Sequence, residues 1–470
     1  PARRRPMELH HLTATEATAR FRRRELSPVD LLDAVIARTA ATEPVVNAVT
    51  EQWLDEARTA AVASERRFAD GAATRPLEGI PLMLKEEQPV AGRTAEEGSL
   101  LERGHVAAET HPIVDRILDA GAVVHGRTTT PEYCCAPVTH TALWGVTRNP
   151  WNTAYSPGGS SGGSGAVLAA GSTILATGSD IGGSIRIPSS FCGVVGFKPP
   201  FARVPGLAPF NSDTYCADGP MGRSVADVAL LQNVIAGPWA GDAASLREVV
   251  SVSGTVSSLA GMRIAVCLDL GGYAVDAAVV ANTLDVVAAL RAAGATVTEV
   301  ELPWGPQRTL ETSWPHFGAV MGPFIESIAD GDPERKARLM PYTRAFAEAA
   351  ARGGEFVGGL EAESAFYRPF GELMQRFDAL LCPTIATTGL AADAPCTDSD
   401  AVFSQLMTLP FNVIGRVPVL AVPSGIAPNG VPTGVQIVGR TFDDPTVFRI
   451  GAALEQELAL WTDPAWWPTL

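Results

Sequence analysis

The sequence predicts an α/β fold: a single large domain in which a twisted mixed central β-sheet is covered by helices on both faces. Three observations predict it. Short apolar runs of strand type alternate with segments of helical periodicity from residue 13 to beyond residue 420. Apolar residues make up 46% of the chain and charged residues 19%, the balance of a globular protein with a large core. No polar, Pro/Ser/Gly-rich linker divides the 470 residues, so a length that alone would allow several domains is read as one.

The elements follow in order. The opening PARRRPMELHHL has no apolar stretch of the signal-peptide kind. Met7 reads as the natural start, with residues 1–6 a leader or cloning remnant, so the domain is expected over 7–470. Residues 13–41 read as helices, with apolar Leu31, Leu32, Val35 and Ile36 at helical spacing and Ser27-Pro28 as cap and first turn. The arginines at 22–24 read as a solvated helix face. A helix is expected over 57–68, and a buried strand over 79–84 that ends in Lys85. The run IVDRILDAGAVVHGRT ends a helix at Gly121 and starts a strand. Small residues at 164–172 form a helix, 173–177 a short strand, and Ser184 opens the next helix. Strands are expected over 261–268, 296–302, 377–382 and 417–422, and a helix over 275–293 stopped by Gly294. Residues 305–365 read as mostly helical, and 389–401 as a surface loop.

Charge and cysteine content exclude some functions. A net charge of −15 speaks against a nucleic-acid partner. No apolar run reaches the ~18–20 residues of a membrane helix. The seven cysteines are scattered without metal-ligand spacing, which points to reduced thiols in a cytoplasm and to no metal site. No cofactor motif is found.

Pro157–Pro188 is the stretch that carries chemistry: PGGSSGGSGAVLAAGSTILATGSDIGGSIRIP. It has two glycine-serine clusters, at 158–164 and 178–184. Glycine loses the most conformational freedom on folding, so this density implies backbone that closely approaches something. A P-loop would need a lysine after its second glycine, and a dinucleotide site would need G-x-G-x-x-G; neither is present. A flexible linker does not fit clusters that flank apolar sequence. What remains is a serine nucleophile beside backbone N–H groups able to hold an oxyanion. Lys85 has two explanations. It pairs with Glu86 or Glu87 or reaches solvent, or it is a desolvated amine whose burial favours the neutral, basic form.

This stretch resembles the signature segment of the amidase signature family, serine hydrolases that use Ser-Ser-Lys in place of Ser-His-Asp. The similarity extends through FCGVVGFKP (191–199), GIPLMLKE (79–86), GRTTTPEY (126–133), WGVTRNPWN (144–152), DGPMGRSVADVALL (218–231) and PFNVIGRVPVLAVPSG (410–425). A signature core over about 79–240 and a helical, pocket-covering region over about 305–375 are what the resemblance implies. It also implies Ser184 as nucleophile, Ser160 as the bridging serine 24 positions earlier, and Lys85 as the base. Ser161 is the neighbour with the lesser claim. The family holds the bridging serine after a cis peptide bond, here Gly159-Ser160. In the implied relay neutral Lys85 takes the proton of Ser160, and Ser160 takes that of Ser184. Ser184 then attacks the carbonyl, and water hydrolyses the acyl-enzyme. Histidine is not needed, and the seven histidines fall outside the matched catalytic segments.

Ile181, Gly182 and Gly183 are the expected oxyanion-hole donors, at a turn where the helix dipole favours negative charge. Ser179, Asp180 and Arg186 support that loop by hydrogen bonds and an ion pair, or form a local salt bridge that only stabilises the turn. The family lysine is usually followed by aspartate; here Glu86 follows. Asp218-Gly219-Pro220 matches the family in a loop bordering the pocket. Cys134, Cys135, Ala136, Phe210, Tyr215 and Ile414 suit an uncharged acyl or aryl group. Trp314, His316, Phe317, Met321 and Phe324 read as core first and ligand contacts second.

The expected activity is hydrolysis of small hydrophobic or aryl amides, with carbamates (urethanes) and esters as further substrates, by a monomer or homodimer. The alternatives are the glutamine-hydrolysing subunit of a tRNA-dependent amidotransferase, and a non-catalytic binding protein of the same fold.

Overall fold

A computed structural model describes residues 8–460, 463 and 466–470. The expected start at Met7 and the remnant at 1–6 lie outside the described residues. One eleven-stranded mixed sheet organises the chain. Its order across the sheet is Val49–Gln52, Val123–Thr128, Pro81–Lys85, Leu175–Asp180, Ala217–Gly222, Val195–Lys198, Val419–Ile426, Pro432–Gly439, Ala379–Pro383, Arg263–Val266 and Thr296–Glu299. Three strands run parallel near one end (123–128, 81–85, 175–180) and three near the other (379–383, 263–266, 296–299). The pairings between these two sets are antiparallel. No helix among the described residues is long and apolar enough to cross a membrane.

Local chemistry accounts for the elements. Ser27 Oγ accepts the Val29 N–H at 3.0 Å, and Pro28 opens the helix Pro28–Val46. Gly294, with φ +99°, follows the helix Ala277–Ala292. The arginines at 22–24 are exposed, as expected. Four strands of the large sheet depart from the expectation: Val49–Gln52, Val195–Lys198, Ala217–Gly222 and Pro432–Gly439. Asp218-Gly219-Pro220 therefore lies in a strand, where its ladder to Gly178 and Ser179 holds it, and not in a loop. The strand expected over 173–177 runs over Leu175–Asp180. The segment 389–401 is irregular until the short helix Ser399–Phe403 begins.

Register positions the site. Leu82 and Met83 pair in parallel with Leu175 and Ala176, so Lys85 and Ser179 emerge at the same ends of neighbouring strands. Those are carboxyl ends, where α/β sheets gather their functional groups. Between the two glycine-serine clusters runs the helix Gly162–Ala170, and all nine of its residues are buried. A Cβ on Gly163 would stand 2.5 Å from Thr129 N, so the helix can lie this close only as glycine.

The helices Gly305–Ala319, Met321–Ala329, Pro341–Ala350 and Phe356–Met374 roof this end of the sheet. Trp314, Phe317, Phe346 and Phe403 pack with ring centroids 5.4–6.2 Å apart. A charged clamp ties the roof to the body. His316, 5% exposed, stacks on Tyr215 at 3.6 Å and meets Asp213 at 2.7 Å and Glu363 at 3.6 Å. Burial alone would lower the His316 pKa; its hydrogen bonds and charge contacts with Asp213 and Glu363 outweigh this and raise it to about 9. A raised histidine adds stability that is complete below its ordinary 6.5 and is lost as pH rises through about 9. Thermal unfolding between pH 6.5 and 9.5 should show a loss of at most about 3 kcal/mol in the wild type. This loss should be absent from His316→Gln; equal slopes in both proteins would refute the clamp.

Candidate active site

Lys85 ends its strand with no solvent exposure. Its Nζ donates to Ser160 Oγ at 2.7 Å and to Ser179 Oγ at 2.8 Å, and pairs with Glu87 Oε1 at 3.1 Å. Ser160 is buried and follows a cis peptide bond from Gly159. Ser161 holds the two clusters together. Its hydroxyl donates to Ser179 O and accepts the Ser179 N–H, both at 3.3 Å, and its N–H donates to Ser184 O at 3.1 Å.

Ser184 is 7% exposed and lines a cavity. It does not open a helix as expected. The carboxylate of Asp180 accepts the N–H groups of Gly183 (2.9 Å) and Ile185 (3.2 Å), which draws the chain into a turn. The helix Arg186–Cys192 begins only after Ile185. The Ser184 hydroxyl makes no hydrogen bond among the described residues, so Ser160 is joined to Lys85 but not to Ser184. Ile181, Gly182 and Ser184 also keep their N–H groups unengaged there. Gly183 departs from the expected oxyanion set, because its N–H already serves Asp180. Its φ of +129° and the Thr408 side chain where a Cβ would go make glycine obligatory.

Asp180 and Arg186 form more than a local salt bridge. Both are fully buried. Arg186 donates to Asp180 Oδ2 (2.9 Å) and Oδ1 (2.8 Å), Asn412 Oδ1 (2.7 Å), Thr408 O (2.9 Å) and Gln436 Oε1 (2.9 Å). Asn412 returns a bond to Asp180 Oδ1 at 2.8 Å. Burial would raise the Asp180 pKa, but the Arg186 charge and hydrogen bonds from Arg186 and Asn412 hold it below its ordinary value. Sequence reasoning passed over Asn412 and Gln436. Their signal was a lone amide in each of two apolar runs, PFNVIG and GVQIVG. Glu86 is buried, faces Arg127 at 3.7 Å and accepts the Glu96 N–H at 2.6 Å.

The charge of Lys85 corrects an expectation. Burial does act to lower its pKa, but Cys134 and Glu87 outweigh it, and the amine is held above its ordinary value. Burial first, and then the adjacent Glu87, push the Cys134 thiol well above its ordinary range.

Two cavities meet at Cys134, Ile181 and Met321. The smaller, about 30 Å³, is apolar and holds Ser184 among Cys135, Ala136, Phe317, Phe346 and Leu406. The larger, about 310 Å³, is lined by the aromatics Tyr133, Phe210 and Phe324 and by the carboxyls of Glu87, Glu97 and Asp218. His111 lines it too, 3.4 Å from Asp218, so one histidine reaches the site after all. Among the described residues, no lysine or arginine lines either cavity. Tyr215 and Ile414, expected at the pocket, lie buried in the core instead, as do Trp314 and His316; Phe317, Met321 and Phe324 face the cavities. All seven cysteines are free, and among the described residues no three His, Cys, Asp or Glu side chains are grouped to hold a metal ion.

Comparison with known proteins places this geometry. A family model described as Amidase matches residues 30–319 and 329–448. A glutamyl-tRNA(Gln) amidotransferase subunit of Synechococcus sp. (strain CC9605) is 34% identical, over 96% of this chain and 97% of that protein. An acylamidase of Rhodococcus erythropolis is 32% identical, over 95% of each. Among solved structures, a bacterial aryl acylamidase of the amidase signature family superposes with a TM-score of 0.88. It is 26% identical and matches over 97% of this chain and 98% of its own.

Proposed function

Since the chain belongs to the amidase signature family and is an amide hydrolase, we propose that it cleaves small apolar or aryl amides through an acyl-enzyme on Ser184. The single observation that carries this is the buried Lys85–Ser160 contact at 2.7 Å beside a Ser184 hydroxyl left unbonded on a cavity wall. Lys85, once neutral, takes the proton of Ser160 as Ser160 takes that of Ser184. Ser184 Oγ adds to the carbonyl carbon, and the N–H groups of Ile181, Gly182 and Ser184 receive the oxyanion. The C–N bond breaks as the same chain returns a proton to the leaving amine. Water then repeats the attack and frees the acid.

The two cavities divide the substrate. The small apolar one takes the acyl group, and the larger takes the amine, beside Lys85 and Ser179. Carbamates and esters present the same carbonyl and are further substrates. The enzyme works alone or as a homodimer in the cytoplasm, where its free cysteines stay reduced.

A second reading, the glutamine-hydrolysing subunit of an amidotransferase, is favoured by relatives such as the Synechococcus protein. Glutamine would bring an α-carboxylate into cavities whose described lining offers it no lysine or arginine and presents carboxyls instead, which weighs against this reading. The test is chromogenic: release of p-nitroaniline from an acyl p-nitroanilide and from an N-(4-nitrophenyl) carbamate, with ammonia release from glutamine measured alongside. Anilide cleavage without glutaminase activity is expected. Glutamine hydrolysis without anilide cleavage would replace the proposal with the second reading.

A further inference from the structure

Lys85 can serve as a base only after losing a proton, yet it is sealed from solvent. Its Nζ touches two hydroxyls, Ser160 and Ser179, and one carboxylate, Glu87. Glu87 is not loosely placed. Cys134 Sγ donates to its second oxygen at 2.5 Å, and its side chain, 17% exposed, stands on the wall of the larger cavity.

We infer that Glu87 is a positioning residue that sets the charge of Lys85, and through it the pH at which Ser184 becomes a nucleophile. This rests on the reading of Ser184 above. The other titratable groups facing Lys85 are either pushed toward their neutral forms or, as with Asp218, held away from the amine by other partners. Cys134, on the turn Glu132–Cys134, and Cys216, ahead of the strand Ala217–Gly222, are thiols that burial keeps protonated. Glu97, across the loop, is pushed well above its ordinary range by burial and by Glu86 and Glu87. Asp218 is engaged by His111 at 3.4 Å and by Gln88 at 2.7 Å. Among the described residues, Glu87 is the only carboxyl in contact with the Lys85 amine. A carboxylate at 3.1 Å stabilises the protonated amine, so activity rises only toward alkaline pH.

Glu87→Gln removes the charge while keeping the shape and an oxygen for the Cys134 thiol. Without the anion, the ammonium loses its partner in a buried site and gives up its proton at lower pH. The reaction to follow is phosphonylation of Ser184 by a fluorophosphonate. Its Oγ–P bond forms as the P–F bond breaks, the hydroxyl proton passes to the base, and fluoride leaves. The rate needs no knowledge of the natural substrate. Against pH, its midpoint should fall by about one to three pH units in Glu87→Gln. At a pH below both midpoints, labelling should quicken about tenfold for each pH unit by which the midpoint falls. Glu87→Asp, which keeps a charge on a shorter arm, should stay nearer the wild type. A midpoint unmoved or raised in Glu87→Gln, or a lower plateau with the midpoint unchanged, would overturn the inference while leaving the serine hydrolase intact. Wild type that is never labelled on Ser184 would overturn both.

Discussion

Ser184→Ala is expected to remain folded and to lose amide hydrolysis by on the order of 10⁴-fold or more. The two halves of that expectation have different sources. The Ser184 hydroxyl makes no hydrogen bond among the described residues, so its removal strands no buried partner. Its backbone contact, the carbonyl that accepts the Ser161 N–H, survives the substitution. Melting should therefore stay within about a degree of the wild type. Chemistry, by contrast, has no other hydroxyl to use. Ser160 is bonded to Lys85 and buried, and Ser179 is bonded to the same amine. The measurement is anilide hydrolysis with the melting temperature taken on the same sample. Undiminished turnover would remove Ser184 from the mechanism, and an unfolded variant would show that the hydroxyl has a structural partner.

Arg186→Met should produce the largest loss of stability, about 3–5 kcal/mol. Removing the guanidinium strands the Asp180 carboxylate without its counter-charge at a site water does not reach, and also frees the Asn412, Gln436 and Thr408 acceptors. Asp180 organises the turn by holding the Gly183 and Ile185 N–H groups, so loss of activity should accompany loss of stability. The double variant Asp180→Asn/Arg186→Met no longer buries a lone charge and should recover part of the loss. Urea unfolding of the single and double variants measures this. A single-variant loss below about 1 kcal/mol would mean that water or a rearranged amide replaces the arginine.

What the sequence made legible depended on how much of the signal was local. The strand Pro81–Lys85 and the stop at Gly294 follow from apolar runs and a terminating glycine. The strands Ala217–Gly222 and Pro432–Gly439 contain glycine and proline, which disguise a strand. They exist because neighbours on both sides complete their ladders. The catalytic positions were reached by resemblance to a family. The charge on Lys85 was not reachable, because burial and an adjacent carboxylate push it in opposite directions and only their relative placement decides the sign. Gly183 shows the same limit: a run of glycines announces free N–H groups, but the fold assigns one of them to Asp180.

The glycine-alanine helix Gly162–Ala170 carries an implication for how the protein can vary. All nine residues are buried, and at Gly163 the Thr129 backbone leaves no room for a methyl group. Most cores absorb a substitution by shifting a flexible neighbour, but here the neighbour is main chain. In a saturation mutagenesis library this helix should therefore tolerate fewer replacements than the aromatic roof above it. Descendants of this sequence would then diversify by remodelling the roof while inheriting the helix almost letter for letter.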